Sequence, residues 1–289
     1  MKYQIPIGVS DFAEIRKNEY YYVDKTALIE ELLKTSAAKV TLITRPRRFG
    51  KTIGMSMLSS FFDIRKDSRE LFEGLNVAED TSLCQEWMNQ WPTIFLTFKK
   101  VDGLNFDSAY EMLASVMADL FNEHSYLLQD ERISAYDREM LERIMNASAS
   151  MTELKNSLSL MTRVMQIHYG KSVILLLDEY DVPVAKANQN GYYDEMLDLM
   201  KGLMQALKDN SALRFAVITG CLKIAKESIF TGTNNFVSDT IVTSGLNEYF
   251  GFTQTDMEKL LKDFQMEIYA DTIKEWYDGY QFGDCDVYC

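Results

Sequence analysis

The chain has 289 residues, 47% of them hydrophobic, which is enough for a sizeable core and excludes a disordered tail. Its 30 Lys and Arg residues against 43 Asp and Glu residues give a formal net charge of −13, which argues against nucleic-acid binding through bulk charge. No apolar run is long enough for a membrane-spanning helix or a secretory signal, and the 4 cysteines form no CxxC pair. We therefore expect a cytoplasmic protein with reduced thiols, no membrane contact and no direct nucleic-acid binding.

The first predicted elements are an N-terminal arm and a helix, assigned to residues 1–38. Asp24 is a candidate N-cap for the segment ALIEELL, in which apolar residues recur at helical spacing. Residues 39–44 form an apolar run typical of a core strand. After a basic loop, a helix is expected to begin at Lys51 or Thr52, so this part of the chain reads as strand, loop, helix.

Short strands and long helices continue to alternate along the chain. The predicted strands are 92–98, 172–177 and 213–219, and the predicted helices are 112–121, 135–145, 152–169 and 192–207, with a polar turn after the strand at 172–177. Capping boxes are predicted at Ser108 and Glu111 and, ahead of a short helix near the end, at Thr255 and Glu258. This alternation predicts an α/β fold of three layers, with a mostly parallel sheet between helices.

The basic loop RPRRFGKT, residues 45–52, resembles the phosphate-loop (Walker A) consensus GxxxxGK[ST] except that Arg45 replaces the first glycine. The triplet Gly50-Lys51-Thr52 alone arises by chance with a probability on the order of one in ten in a chain this long. Its position between a strand and a helix is stronger evidence, because loop N–H groups and a helix N-terminus can hold a phosphate there. Lys51 would then reach the β- and γ-phosphates, and Thr52 would ligate Mg²⁺.

A second candidate motif (Walker B) is VILLLDEYD, residues 173–181, in which acids follow a uniformly apolar strand. Asp178 fits a carboxylate that orients Mg²⁺, and Glu179 fits the residue that polarises an attacking water. Two solvated acids at a strand end are the alternative interpretation. Thr219 ends the following strand and could sense the γ-phosphate, or could be an ordinary strand terminus. A strand between the loop and the acid favours the additional-strand, ATPase branch of P-loop NTPases.

Taken together, the motifs resemble a bacterial AAA-ATPase-like family. The matching segments are residues 7–12, 21–26, 45–52, 176–181, 219–235 and 276–283, so the resemblance runs essentially end to end. It implies that an arginine at position 45 is the usual form of this loop, and that ATP and Mg²⁺ are the cofactors. Under it, the cofactor-binding residues are Arg45, Pro46, Arg47, Arg48, Phe49, Gly50, Lys51, Thr52 and Thr219.

The resemblance also suggests a domain organisation. We expect a nucleotide-binding core at 39–252 and the start of a helical C-terminal part at 253–289. Family members commonly continue into a domain that resembles PD-(D/E)xK nucleases, so we expect the chain to be truncated before such a domain. Lys223 stands where related sequences often have arginine, which weakens any sensor or trans-acting role there. Self-association could instead complete the site with an arginine from a neighbouring copy.

Several alternatives stay open at this stage. Arg45, Arg47 or Arg48 could supply charge to phosphate, although at least one of them is expected to pair with an acid of the chain. Asp24 and Lys25 could approach the nucleotide, but a helix cap explains Asp24 equally well. The main functional hypothesis is a Mg²⁺-dependent ATPase, with Glu179 and Lys51 as catalytic residues, that regulates an attached effector domain or partner. The alternatives are a nucleotide-binding switch with negligible turnover and the ATPase part of a nuclease-linked system.

Overall fold

The computed structural model describes residues 4–34, 39–221, 229–230, 236–243, 245–277, 280–283 and 285–288. Lys223 lies outside these ranges, as does most of the family-like segment at 219–235. The strands are β1 (Val40–Thr44), β2 (Thr93–Thr97), β3 (Val173–Asp178), β4 (Leu213–Gly220), β5 (Phe236–Asp239), β6 (Phe252–Thr253), β7 (Tyr280–Phe282) and β8 (Cys285–Tyr288).

Helices outnumber strands in the described part of the chain. They are α1 (Phe12–Lys17), α2 (Ala27–Lys34), α3 (Lys51–Phe62), α4 (Arg69–Phe72), α5 (Thr81–Trp87), α6 (Phe106–Glu123), α7 (Ala135–Met145), α8 (Met151–Lys155), α9 (Ser157–Tyr169), α10 (Val182–Asn190), α11 (Tyr193–Leu203), α12 (Gln254–Asp263) and α13 (Ala270–Trp276). Short 3₁₀ turns lie at Asn76–Glu79, Ser125–Gln129, Met204–Leu207, Asn247–Tyr249 and Glu267–Tyr269.

The central sheet has five strands in the order β2-β3-β4-β1-β5, and all of its neighbouring pairs are parallel. Every residue of β1 and of β3 is buried, as expected for strands that are covered on both faces. The predicted α/β class with a mostly parallel sheet is confirmed. Because all five strands run in one direction, their carboxyl ends meet at one edge of the sheet, where the loops at 45–50 and 179–181 begin.

Alternate residues of each strand pack into separate cores on the two faces. In β3, Leu175 and Leu177 belong to the core that includes residues of α6, α7 and α9, whereas Ile174 and Leu176 belong to the core that includes Phe61 of α3. The period of two along a strand therefore distributes one apolar run between two helix layers. Each large side chain buried in this way contributes about 1.5–3 kcal/mol relative to an exposed one.

Both predicted capping boxes are misplaced along the chain. The long helix α6 starts at Phe106 rather than after Ser108, because Asn105 is its N-cap and Ser108 occupies the third helical position of the box. In the same way, α12 is capped by Thr253 and Asp256 rather than by Thr255 and Glu258. Each of these two segments contains two overlapping sets of residues able to cap a helix, and in the structure the earlier set forms the cap.

Two predicted segments differ in their helical content. The single helix expected at 152–169 is divided into α8 and α9 at Asn156, whose N–H donates to the carbonyls of Thr152 and Glu153. The polar turn expected after β3 is present at residues 179–181, but it is followed by a helix that was not predicted, α10, which begins with Val182 and has Pro183 in its first turn. Proline is well suited to the first turn of a helix, because N–H groups there have no acceptor within the helix and the N–H that proline lacks is not needed.

The C-terminal part was expected to be helical, and this expectation is incomplete. Besides α12 and α13 it contains a three-stranded antiparallel sheet in the order β6-β8-β7. The strands are only two to four residues long, too short for a recognisable alternating pattern. No helix in the part of the chain that the structure describes has the length and apolar character needed to cross a bilayer.

Candidate nucleotide site

The candidate site is formed where β1, β4 and β3 end next to one another. Thr44 of β1 is paired with Gly220 of β4, and Leu177 of β3 is paired with Ile218 of β4. Strand β4 therefore lies between the strand that leads into the loop at 45–50 and the strand that ends in Asp178. This register brings the two motifs, which are more than 120 residues apart in sequence, to a single sheet edge.

The loop ends in a tight turn at the start of α3. Arg48 and Gly50 both have positive φ values, of 72° and 76°, in the left-handed region that glycine adopts without steric cost. Gly50 is the N-cap of α3 and offers no capping side chain. The N–H groups of the first helical turn therefore point toward the loop, as in sites that bind anions at helix N-termini.

Lys51 is buried, and its ammonium group lies over the loop. Its Nζ donates to the carbonyl oxygens of Arg45 at 2.9 Å and Pro46 at 2.7 Å, and lies 3.4 Å from the Sγ of Cys221. These hydrogen bonds offset the free-energy cost of burying the Lys51 ammonium group. The first residue of α3 thus holds a positive charge at the place where the sheet edge and the helix N-terminus meet.

Asp178 joins the two motifs through hydrogen bonds. The Thr52 hydroxyl donates to its Oδ2 at 2.9 Å, and the Thr219 hydroxyl donates to its Oδ1 at 2.5 Å. The Asp178 side chain is fully buried, so these donors offset the cost of removing a carboxylate from water. Thr219 therefore contacts Asp178 directly in this structure.

The oxygen atoms of Thr52 and Asp178 form a donor set suited to a hard divalent cation. Mg²⁺ is usually bound through one or two carboxylates, with waters and substrate phosphates as the other ligands. Among the described residues, no group of three or more His, Cys, Asp or Glu side chains is placed to hold a metal ion. Thr52 and Asp178 are the two residues of the site whose oxygen atoms would hold such a cation.

Glu179 follows Asp178 in an uncommon backbone conformation, with φ at 54°. The conformation is held by hydrogen bonds from Val182 N to the Glu179 carbonyl, 3.1 Å, and from Tyr180 N to the Thr219 carbonyl, 3.1 Å. The side chain is half-buried. Burial raises the pKa of Glu179, the carboxylate of Asp178 raises it further, and the ammonium groups of Lys99 and Lys51 lower it.

The structure corrects the expectation for the side chain of Arg45. Its guanidinium is fully buried, forms an ion pair with Asp239, and donates to Asn247 Oδ1 at 3.0 Å. The rings of Phe250 and Phe282 lie 5.4 Å and 5.3 Å from its central carbon. Arg45 is thus a loop arginine that pairs with an acid, and its guanidinium does not face the site. Its carbonyl does contribute, as an acceptor for Lys51.

The other loop side chains divide into exposed and buried groups. Arg47 and Arg48 are exposed, and Pro46 is partly so. Phe49 is buried, with ring centroids 5.0 Å from both Tyr280 and Phe282 of the small C-terminal sheet. The Phe49 side chain therefore anchors the loop to that sheet. Arg47 and Arg48 are the loop arginines whose side chains are exposed.

Asp24 and Lys25 are engaged away from the loop. The Asp24 carboxylate accepts hydrogen bonds from Thr26 N at 2.9 Å and Asn76 N at 2.7 Å. The Lys25 ammonium lies 2.5 Å from a carboxylate oxygen of Asp256. These contacts favour the local structural role for Asp24 over an approach to the nucleotide.

Sequence reasoning missed the residues that hold the loop from behind. Asp239 and Asn247 lie about two hundred positions after Arg45, and nothing in their local sequence marks them as its partners. Asp181 was part of the second motif, and the structure adds its partner: its carboxylate accepts from Cys221 N at 3.1 and 3.2 Å, which ties the turn after β3 to the end of β4.

Comparison with known proteins agrees with this fold. Residues 6–230 match the AAA-ATPase-like family, described as predicted AAA-ATPases, and the chain belongs to this family. One relative is described as an uncharacterized protein in the vnfD 5′ region of Azotobacter chroococcum mcd 1. It is 28% identical over 290 residues, which is 99% of this chain and 50% of that protein. The chain thus spans about half the length of this curated relative. No solved structure matches the chain.

Proposed function

We propose that the protein is a P-loop ATPase of the additional-strand branch that binds ATP with Mg²⁺ and hydrolyses it to ADP and phosphate. The observation that carries the proposal is the 2.9 Å hydrogen bond between the Thr52 hydroxyl and the Asp178 carboxylate. This hydrogen bond joins the GKT sequence at the start of α3 to the acid at the end of the buried strand β3. Strand β4 lies between β3 and β1, the strand that leads into the loop. ATP rather than another nucleotide follows from membership of the family.

In this proposal the loop binds the phosphates. The N–H groups of residues 47–51 and the N-terminus of α3 provide donors, and Lys51 exchanges its carbonyl partners for phosphate oxygens. The guanidinium groups of Arg47 and Arg48 add exposed positive charge at the same loop. These contacts orient the triphosphate so that its terminal phosphate lies near the end of β3.

The acids at the end of β3 have separate roles. When bound, Mg²⁺ supplies positive charge that neutralises the phosphate oxygens, and Thr52 and Asp178 would hold it. Glu179 accepts a proton from the attacking water and orients it, which is the protein's main task in phosphoryl transfer to water. Thr219 keeps Asp178 oriented through its hydrogen bond at 2.5 Å.

The test is phosphate release from ATP with Mg²⁺, measured beside nucleotide binding for the wild type, Lys51→Ala and Glu179→Gln. We expect Lys51→Ala to lose binding and turnover, and Glu179→Gln to keep binding while turnover falls by roughly 10²- to 10⁴-fold. Glu131→Gln removes an exposed glutamate far from the site in sequence and serves as the control with unchanged turnover. Absence of nucleotide binding by the wild type would refute the proposal.

Binding without turnover in the wild type would favour the alternative of a nucleotide-binding switch, or a site that needs an arginine from a neighbouring copy. Regulation of an effector domain or partner is part of the proposal. The comparison between Glu179→Gln and wild type separates an active ATPase from both alternatives, because only an active wild type has turnover for Glu179→Gln to lose.

A further inference from the structure

Lys99 lies beside the acids of the candidate site, at the end of β2. Strand β2 pairs with β3 so that Thr97 is opposite Asp178. The chain beyond the strand is held as well, because Phe98 N donates to the Asp178 carbonyl at 3.0 Å and Lys99 N donates to the Thr97 hydroxyl at 3.3 Å. This register carries Lys99 past the end of β2 on the side where Glu179 leaves β3.

Neither Lys99 nor Glu179 has an ion-pair partner among the described residues. The nearest acid along the Lys99 loop, Asp102, is already paired with Lys186 at 2.8 Å. Lys51, the other cation that acts on Glu179, is held by the carbonyls of Arg45 and Pro46. The Lys99 ammonium is therefore free to interact with Glu179.

The charges around Glu179 give this interaction a direction. Asp178 on β3 and Asp181 in the following turn are the anions that act on it, and Lys99 and Lys51 are the cations. Repulsion from the two aspartates and attraction to an ammonium just beyond the end of β2 favour different orientations of the Glu179 carboxylate from those it would adopt without these charges. Glu179 is half-buried and Lys99 is exposed, and charges near a protein surface interact more strongly than in bulk water.

We propose that Lys99 is a positioning residue, a cation supplied by the same chain that holds the Glu179 carboxylate in the orientation in which it meets the attacking water. The inference rests on the proposed function and deepens it. Lys99 acts through Glu179 and does not bind the nucleotide. Its removal should therefore slow the chemical step and leave nucleotide affinity unchanged.

The first test compares steady-state ATP hydrolysis by the wild type, Lys99→Gln, Lys99→Arg and Lys100→Gln. We expect Lys99→Gln to lower kcat by ~10- to 100-fold at unchanged KM and nucleotide affinity, because misplacing a reacting group has effects of this size. Lys99→Arg keeps the cation and should restore most of the rate. Lys100→Gln removes the same charge from the next exposed residue and should behave as the wild type.

Two kinetic outcomes would overturn the inference. A kcat for Lys99→Gln equal to that of Lys100→Gln would show that the Lys99 charge is not used. A loss of ATP affinity with kcat unchanged would place the ammonium on the nucleotide rather than on Glu179. A tenfold effect corresponds to about 1.4 kcal/mol, well above the error of such rates.

A second test does not need turnover. The unfolding midpoint in urea is measured without nucleotide for the wild type, Lys99→Gln, Glu179→Gln and the double variant. If the two side chains interact, the midpoint shift caused by Lys99→Gln should be smaller in the Glu179→Gln background than in the wild type. Equal shifts in both backgrounds would refute the interaction.

The two tests keep the proposals separate. Failure of the wild type to bind nucleotide would reject the proposed function, whereas the unfolding cycle would still decide whether Lys99 and Glu179 interact. An active wild type with additive unfolding effects and an unaltered Lys99→Gln rate would reject the role of Lys99 alone.

Discussion

Arg45 occupies the position at which a phosphate loop ordinarily has a glycine, and its surroundings explain why an arginine is accommodated. Asp239, Asn247 and the rings of Phe250 and Phe282 enclose its guanidinium. The side chain therefore packs against residues that follow β4 in the chain. Its Nε is buried with no hydrogen-bond partner among the described residues, so the pairing with Asp239 has to offset the desolvation of the cation.

We expect Arg45→Met to lower the free energy of unfolding by about 3–5 kcal/mol, because it leaves Asp239 buried without its cation. The measurement is equilibrium unfolding in urea. Arg47→Met changes an exposed arginine of the same loop and should shift stability by no more than about 0.5 kcal/mol. Adding Asp239→Asn to Arg45→Met should recover part of the lost stability. Equal losses of stability in Arg45→Met and Arg47→Met would contradict the prediction.

His124 gives a prediction for the dependence of stability on pH. It is buried, and its Nδ1 lies 3.0 Å from the Tyr126 hydroxyl. Burial is the main cause that lowers its pKa from 6.5 to about 4; the Arg65 guanidinium adds to this effect and the Asp63 carboxylate opposes it. The folded protein thus resists protonation of this imidazole, while the unfolded chain binds a proton near pH 6.5. The stability that His124 contributes is present above pH 6.5 and is lost as the pH falls toward 4.

In this window the free energy of unfolding should fall by up to ~1.4 kcal/mol per pH unit on account of His124. Urea unfolding at pH 7, 6, 5 and 4.5 measures the slope. His124→Gln should flatten it, whatever its effect on stability at pH 7. His168→Gln, which removes the other histidine of the sequence, should keep the decline. A slope unchanged by His124→Gln would show that other groups cause it.

At the scale of elements, the sequence pattern predicts that a helix is present, and the cap residue in the structure decides where the helix starts. The apolar spacing of residues 112–121 is sufficient to predict a helix there, but its first turn is set by Asn105, whose Oδ1 accepts from Ser108 N at 2.9 Å. We expect Asn105→Ala to lower the free energy of unfolding by ~1 kcal/mol. Glu111→Ala, at the position that the sequence pattern suggested for the cap, should have an effect within about 0.5 kcal/mol. Urea unfolding measures both losses of stability. A larger loss in Glu111→Ala than in Asn105→Ala would favour the capping box predicted at Ser108 and Glu111.

Strands β1 to β4 of the central sheet were predicted to within a few residues, whereas the edge strand β5 (Phe236–Asp239) and the C-terminal strands were not predicted. Strand β3 is a continuous apolar run because helices cover both of its faces. Strands β6, β7 and β8 have two to four residues each and owe their pairing to one another rather than to a local pattern. The helix α10 was overlooked because its sequence, VPVAKANQN, has few strongly apolar residues and a proline near its start.

At the scale of the whole molecule, the loop at 45–50 connects the central sheet with the small C-terminal sheet. Arg45 and Phe49 both reach Phe282, and Phe49 also packs against Tyr280. Gly251 approaches the Phe49 ring so closely that a Cβ there would lie 2.7 Å from it. A ligand that orders the loop should therefore also stabilise the C-terminal sheet.

Hydrogen exchange can test this link. Nucleotide at 100 times its dissociation constant should stabilise the folded protein by about 2.7 kcal/mol, and we expect amides of β7 and β8 to gain protection together with those of β1 and β3. In Phe49→Ala, the gain should persist in the central strands and decrease in β7 and β8, because the aromatic contact is lost. An equal gain in both sheets of this variant would show that Phe49 does not connect them.

The sequence by itself determined the α/β class, the alternation of strands and helices, and the two motifs that meet at the sheet edge. These features depend on periodicity and on residues adjacent in the chain, so they can be read locally. The sequence also limited each loop arginine to two roles, binding phosphate or pairing with an acid of the chain, without deciding between them.

Only the tertiary structure decided that Arg45 pairs with Asp239, that Thr219 contacts Asp178, and that the end of β2, which Lys99 follows, lies beside the end of β3. Each of these depends on the order and register of strands far apart in sequence. Burial makes such pairings selective, because a charged group removed from water is stable only where a partner lies within hydrogen-bonding distance. The partner of Arg45, Asp239, lies 194 positions away in the sequence, and only the folded sheet brings the two together.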